Sequence, residues 1–432
     1  MKAAFRTLGC KVNQYETEAL KEKFRAAGFD IVNDDEPADV YVINTCTVTS
    51  LADRKSRQFI RRAKRINAES LVAVTGCYAQ VSPEETANID GVDIVAGTNE
   101  KMDLPEIIAS YRGGKEIHVT ERNQITKYAD AGVVSDEGSR TRAYIKIEDG
   151  CDRFCSYCAV PAARGPVRSR AESEIAEEAE SLIESGYREL ILTGINTALY
   201  GTDRGDGALM MERLLERLER IPADFRIRLS SVEPTVINAE YVKKLFRFDK
   251  LCHSMHLSAQ SGSTRVLKMM NRRYGREEYL DIVRTVREFD PYYGISTDII
   301  AGFPGETEDD FAESLTLIRE AGFCRVHAFR YSKRRGTKAA GFEGQIPPDV
   351  KKERGARLIR EGRLAAERFF RANAGRTERV LFEEETEEGY LTGHTGNFIK
   401  VYAEPGDAEP GSFASVTLGS PYKDGMRGTV KP

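Results

Sequence analysis

Cys151-Asp152-Arg153-Phe154-Cys155-Ser156-Tyr157-Cys158 sets three thiols within eight residues, directly after Gly150 and an apolar run at 144–148 that reads as a β-strand. Three thiolates at this CxxxCxxC spacing can wrap one iron–sulfur cubane, ligating three irons and leaving the fourth for an exogenous ligand. A tetrahedral structural zinc would need a fourth ligand, and none stands at the usual local spacing. The stretch is therefore read as an iron–sulfur loop at the end of a strand. Tyr157 either reaches toward the cluster's ligand or packs.

Beyond this loop, short apolar runs alternate with amphipathic helical patterns. Strands are expected at 144–148, 189–193, 226–230, 255–257, 295–300 and 325–329, with helices such as 171–185, 235–246 and 309–321 between them. Six β/α units predict a barrel short of the full eight. From Arg376 the pattern changes to alternating runs at 379–382, 391–395, 399–402 and 414–418 separated by Gly, Pro and charged turns, which predicts a small five-stranded β-barrel. The small, polar stretch 129–142, ADAGVVSDEGSRTR, reads as a linker.

Before the linker lies another α/β pattern, with strands at 2–7, 40–44, 71–75 and 92–96 and helices at 16–27 and 52–66. The first three strands are each followed within three residues by a cysteine: Cys10, Cys46 and Cys77. In a parallel sheet all three emerge at the carboxyl-end crevice, where open α/β sheets bind ligands. They are either a second incomplete ligand set or ordinary buried small side chains. Cys252 and Cys324 lie at apolar strand starts and read as buried structural thiols, and His256 as a packed, hydrogen-bonded histidine.

The 432 residues exceed one small module, and 41% hydrophobic residues suffice for more than one core. No apolar run of about 18 residues is present, so no membrane span is expected. The opening MKAAFRTLGCKVNQ lacks the apolar region of a signal peptide, and the expected location is cytoplasmic. In a reducing cytosol eight cysteines are metal ligands or buried thiols rather than disulfides. A formal net charge of -4 gives no global support for nucleic-acid binding. Any RNA footprint has to be local.

The CxxxCxxC after the first barrel strand resembles the radical S-adenosylmethionine signature, in which the open iron chelates the cofactor's amino and carboxylate groups and reduction yields a 5'-deoxyadenosyl radical. The whole chain resembles the methylthiotransferases of that superfamily. Matching stretches are Thr7 to Glu18 (TLGCKVNQYETE), Val160 to Arg170 (VPAARGPVRSR), Leu229 to Pro234 (LSSVEP), His256 to Ser263 (HLSAQSGS), Asp298 to Thr307 (DIIAGFPGET) and Tyr331 to Ala340 (YSKRRGTKAA). Ser258 and Arg335 stand where many relatives carry Pro.

The resemblance implies three domains: 1–128 with an auxiliary cluster, 137–372 with a partial (β/α)6 radical barrel, and 373–432 as a TRAM module. It implies two [4Fe-4S] clusters, one on Cys151, Cys155 and Cys158 that generates the radical and one on Cys10, Cys46 and Cys77 that supplies or carries sulfur. It further implies S-adenosyl-L-methionine held near Tyr157, Gly194, Ser230, Gln260, Ser261, Gly302, Gly305 and Glu306. A second S-adenosylmethionine would give the methyl group.

The residues after Cys10 look most like the branch that methylthiolates C2 of N6-threonylcarbamoyladenosine at position 37 of tRNA. The alternatives are the isopentenyladenosine branch, the ribosomal-protein aspartate branch, and a non-catalytic iron–sulfur RNA-binding redox sensor. The implied partners are the tRNA anticodon stem-loop and an electron donor such as flavodoxin or ferredoxin, with the chain acting as a monomer. Candidate phosphate contacts are Arg54, Lys55, Arg57, Arg61, Arg62, Lys64 and Arg65 on one helix, and Arg325, Arg330, Lys333, Arg334, Arg335 and Lys338 near the last barrel strand. Residues 376–432 carry 6 Lys and Arg against 10 Asp and Glu, so RNA binding there would need stacking, with Phe398, Tyr402 and Tyr422 as candidates.

Overall fold

Every residue of the strand Val40–Thr45 (VYVINT) is buried. A β-rich run with no solvated face belongs inside a parallel sheet covered by helices. The computed structural model describes residues 1–47, 50–126, 128, 141–404, 406 and 408–431. In it this strand is β3 of a six-stranded sheet made of β1 (Lys2–Thr7), β2 (Asp30–Val32), β3, β4 (Leu71–Gly76), β5 (Ile94–Ala96) and β6 (Glu116–His118). All neighbours are parallel, in the order β2-β1-β3-β4-β5-β6.

The chain runs from β1 outward to β2 and then returns to the other side of β1 as β3. This reversal makes the carboxyl ends of β1 and β3 a topological switch point, where neighbouring loops part and leave a crevice. The helices Lys11–Ala26 and Ser50–Ile66 begin just beyond it. Strands β2 and β6 escape the sequence pattern because each is three residues long, begins on a carboxylate and lacks the apolar run that marks the equally short β5.

By internal contacts the chain divides into two units. The first comprises Met1–Ser135, Lys146–Arg170 and Ser332–Ala340, and the second Asp136–Ile145, Ala171–Tyr331 and Gly341–Pro432. Cys151, Cys155 and Cys158 therefore belong to the same unit as Cys10, Cys46 and Cys77. The linker expected at 129–142 lies outside the described residues as far as residue 140.

The next strands are β7 (Arg142–Lys146), the short β8 (Glu148–Asp149) and β9 (Arg168–Ser169), β10 (Glu189–Thr193), β11 (Arg226–Leu229), β12 (Ser231–Val232), β13 (Ser254–Leu257), β14 (Gly294–Ala301) and β15 (Arg325–Arg330). Their hydrogen bonding forms two groups, β11-β10-β7 and β12-β13-β14-β15. The partial β/α wall is thus present, with its ladder interrupted between the two groups.

The C-terminal residues form the closed barrel β16 (Thr377–Glu385), β17 (Leu391–Thr395), β18 (Lys400–Ala403), β20 (Gly425–Val430) and β19 (Phe413–Tyr422). Val380, Phe382, Ile399, Val401, Val416 and Met426 fill it. Strand β20, GMRGTV, had no sequence signal of its own, because two glycines break its alternation. Arg226 and Arg228 bind the buried Glu189 and donate to the carbonyls of His394, Thr395 and Gly396 in this barrel. Burial alone would raise Glu189, but Arg228 and Arg226 hold it well below the usual carboxylate range. Cys252 and Cys324 are buried and burial pushes both thiols up, Cys324 to about 12.

Antiparallel pairing of β8 with β9 brings the ends of the Cys151 loop together. Gly150 sits at φ +87°, and a Cβ there would collide with the Pro166 carbonyl. Cys151 N donates to Gly165 O at 3.1 Å across the same closure. Gly150→Ala is expected to cost about 1–3 kcal/mol, read as a lower urea midpoint. A wild-type midpoint would show that the closure does not depend on this glycine.

Candidate active site

Cys10, Cys46 and Cys77 directly follow the loop or strand ends of β1, β3 and β4, which are adjacent and in register. Thr45 pairs with Gly76, so Cys46 and Cys77 leave the sheet side by side. Gly9, at φ +112°, lies so close to Cys46 that a Cβ there would stand 2.7 Å from Cys46 Cβ and 2.9 Å from its Sγ. Only glycine brings the Cys10 turn this near. Cys10 is exposed and stands at the N-cap position of the helix Lys11–Ala26. Cys46 and Cys77 are buried.

The loop of Cys151, Cys155 and Cys158 is braced from several sides. Cys158 N donates to Cys155 O, and Asp152 Oδ2 accepts from Val167 N. Arg122 donates to Pro161 O at 2.8 Å and lies over the Phe154 ring. Ala339 N donates to Ser156 O at 2.8 Å. Cys155 is buried and the other two are half-buried. Burial raises the Cys151 thiol, and the neighbouring Cys158 and Cys155 act in the same direction.

Between the two cysteine sets lies a buried ion network that the sequence reading did not assign. Glu16 accepts from Lys101 and Arg164, and from Lys146 at 2.7 Å. Asp149 binds Lys146 at 2.7 Å and faces Arg164 and Arg168. Arg164 and Lys101 are 0% exposed. Burial alone would raise Glu16 and Asp149, yet the surrounding cations hold Glu16 well below its ordinary value and Asp149 at about 2. Lys101, Lys146, Arg164 and Arg168 thus surround Glu16 and Asp149 in a buried network. At Cys77 burial pushes the thiol up, while Arg164 and Lys101 favour its thiolate. A thiolate-ligated cluster on Cys10, Cys46 and Cys77 fits this charge.

In the second unit, the remaining candidates lie at strand ends. Gly194 follows β10 and Ser230 follows β11, where the Ser230 hydroxyl is buried with no hydrogen-bond partner among the described residues. That orphaned hydroxyl suits a polar ligand atom. Gln260 is at φ +65° and bonds through its backbone to Asp298 O and Ile300 N. The Ser261 hydroxyl accepts from Ser263 N and meets Ser314 Oγ, so it already serves its own loop. Glu306 Oε2 accepts from Gly302 N at 2.8 Å and from Arg354 at 2.7 Å, bracing the turn that holds Gly302 and Gly305. Glu306 Oε1 is buried without a partner among the described residues. His256 is held by Ser296 Oγ and Asp298.

The model for the uncharacterized protein family UPF0004 matches residues 2–97, and the radical SAM superfamily model matches residues 145–318. The chain is 40% identical, over 98% of its length and 95% of the relative's, to threonylcarbamoyladenosine tRNA methylthiotransferase MtaB of Bacillus subtilis (strain 168). It belongs to the MtaB-type radical SAM methylthiotransferases.

A second relative of this methylthiotransferase is tRNA-2-methylthio-N(6)-dimethylallyladenosine synthase of Clostridium tetani (strain Massachusetts / E88), 36% identical over 90% of the chain and 87% of the relative. Among solved structures, the radical S-adenosylmethionine methyltransferase TsrM of Kitasatospora setae, with cobalamin and a [4Fe-4S] cluster bound, has a TM-score of 0.59 at 14% identity, covering 90% of this chain and 80% of that one. That likeness concerns the fold alone.

The methylthiotransferase presents cations unevenly. Arg54, Lys55, Arg61 and Arg65 are exposed on the helix Ser50–Ile66. Arg57 reaches Tyr78 and Glu85, and Lys64 binds Asp93 and Ser70 O. Arg325, Arg330, Lys333, Arg335 and Lys338 are exposed, but Arg334 is buried and donates to Thr47 Oγ1 at 2.8 Å. Phe398 is not a free stacking surface: His394 stacks on it at 5.1 Å and Arg228 lies over it at 4.9 Å. Tyr402 is 5% exposed, with its hydroxyl on Asp424. Tyr390, which the sequence reading passed over, joins Tyr402 and Tyr422, with Arg427 4.0 Å from the Tyr422 ring centre and Lys423 beside both Tyr402 and Tyr422.

Asp149 carries a pH signature. An unfolded Asp ionises near pH 3.9, so a folded value of about 2 contributes stability that is complete above about pH 4 and lost as the pH falls toward 2. Asp149→Asn is expected to lower stability by about 3 kcal/mol at pH 7, since it takes the carboxylate from buried Arg168 and leaves Lys146 and Arg164 to Glu16 alone. It should also remove about 2 kcal/mol of the wild-type decline between pH 4 and pH 2, measured by urea unfolding. Parallel pH profiles for the two proteins would contradict the assignment.

Proposed function

We propose that this chain replaces the hydrogen on C2 of N6-threonylcarbamoyladenosine at position 37 of tRNA with a methylthio group. The reading is carried by one observation: two three-cysteine sets in a single compact unit, in a chain that matches an enzyme named for this modification over nearly its full length. Cys151, Cys155 and Cys158 would hold one [4Fe-4S] cluster, and Cys10, Cys46 and Cys77 another. When bound, these clusters and S-adenosylmethionine supply one-electron reduction, hydrogen abstraction and the sulfur and methyl groups.

The chain's own residues supply position and charge. Each triad offers three thiolates, which on a four-iron cubane would leave one metal corner for an exogenous group. Burial opposes charge at Cys77, while Arg164 and Lys101 favour its thiolate. Tyr157, Gly194, Ser230, Gln260, Ser261, Gly302, Gly305 and Glu306 are assigned to the S-adenosylmethionine site. Within it Glu306 fixes the Gly302 turn, and the Ser230 hydroxyl remains available to a ligand.

For tRNA, the exposed arginines and Lys55 of the helix Ser50–Ile66 and the Tyr390, Tyr402, Tyr422, Lys423 and Arg427 cluster offer phosphate and base contacts. Domain limits of 1–128, 137–372 and 373–432, an electron donor of flavodoxin or ferredoxin type, a monomeric state and a cytoplasmic location belong to the same proposal. No helix among the described residues is long and apolar enough to cross a membrane.

Nucleoside mass spectrometry of tRNA from a deletion strain tests the substrate. Loss of the methylthio form of threonylcarbamoyladenosine is expected. Loss of the isopentenyl counterpart instead would move the enzyme to that branch. Reconstituted protein that releases no 5'-deoxyadenosine under reductant would favour a redox sensor. Anaerobic protein should hold about eight irons per chain, falling to about four in Cys10→Ala, if each triad binds one four-iron cubane.

A further inference from the structure

Arg164 stands six residues after Cys158, at the end of the helix Val160–Arg164. Its neighbour Gly165 accepts from Cys151 N, so Arg164 is fixed by the closure of the Cys151 loop. Its guanidinium nevertheless works at the other cysteine set. One Nη donates to Asn13 Oδ1 at 2.6 Å, and both Nη groups bind Glu16.

Asn13 is the branching point. Its Nδ2 donates to Leu8 O at 2.8 Å and to Thr45 O at 3.0 Å, the carbonyls just before Gly9-Cys10 and Cys46. Its own carbonyl accepts from Asn44 Nδ2 at 3.0 Å. The Asn13 amide therefore ties together the two turns that carry Cys10 and Cys46. Arg164, bound to its oxygen, sets the amide's orientation. Lys101 brings a second buried cation from a separate element, through Glu16.

We infer that Arg164 is a positioning residue for the Cys10, Cys46 and Cys77 set, joining it to the Cys151 loop through Asn13 and supplying positive charge beside it. The inference rests on the assignment of a cluster to that set. A cation there stabilises the more negative, reduced form of such a cluster, so its removal moves the midpoint potential downward. The Asn13 link acts differently, on the shape of the ligand set.

The test uses the full chain carrying Cys151→Ala, Cys155→Ala and Cys158→Ala, reconstituted with iron and sulfide, so that one cluster is observed. Midpoint potential and the EPR g-values of the reduced cluster are measured, with iron per chain as control. Arg164→Met is expected to move the potential downward and to change the g-values. Arg164→Lys keeps the charge but loses the fork, so the potential should stay near that of the parent while the g-values change.

Lys101→Met removes charge without touching Asn13, and should move the potential while leaving the g-values in place. If Arg164→Met does not fold, the last two variants still separate the two effects. Variants with about four irons whose potential and spectrum superimpose on the parent's would overturn the inference. A parent that binds no iron would instead refute the cluster assignment, and the inference with it.

Discussion

The ion pair between Glu16 and Arg164 is the constraint around which the first unit is arranged. Both side chains are removed from water, and such charges persist only when each is paired and hydrogen-bonded. Glu16 lies on the first helix, Arg164 follows the iron–sulfur loop, Lys101 comes from the far side of the sheet sequence, and Lys146 and Asp149 lead into the loop. Four separate stretches of chain must arrive for Glu16 and Asp149 to be paired. The pair thus ties the helix after Cys10 to the stretch after the Cys151 loop.

A second constraint is topological. Strand order places the carboxyl ends of β1 and β3 at the one point in the sheet where consecutive connections diverge. Cys10 and Cys46 occupy that point and Cys77 the next strand. Glycines at 9 and 150 then allow the backbone to approach more closely than any side chain would permit.

Much of this was legible in the residues. Strands such as Val40–Thr45 and Glu189–Thr193 announce themselves by apolar runs bounded by turns, and the six cysteines by their spacing and their position after strands. The ion network was not legible, for a physical reason. Asn13, Glu16, Arg164 and Arg168 stand in stretches recognised as shared with a family, but a charge in one dimension gives no sign of being buried. Lys101 had no signal at all: it reads as an ordinary surface lysine and is 0% exposed. Phe398 failed in the opposite sense, since an aromatic in a polar turn looks available for stacking until its two covering neighbours are seen.

The first unit is discontinuous along the chain, and this bears on its biosynthesis. Arg334 bonds Thr47 across 287 positions, and Ala339 closes on Ser156. On the ribosome, the N-terminal sheet emerges long before the segment that braces both cysteine turns. Cys158 is therefore synthesised about 180 residues before the segment that reaches its loop. The scaffold around the cysteine thiols is complete only once residues 332–340 have left the exit tunnel.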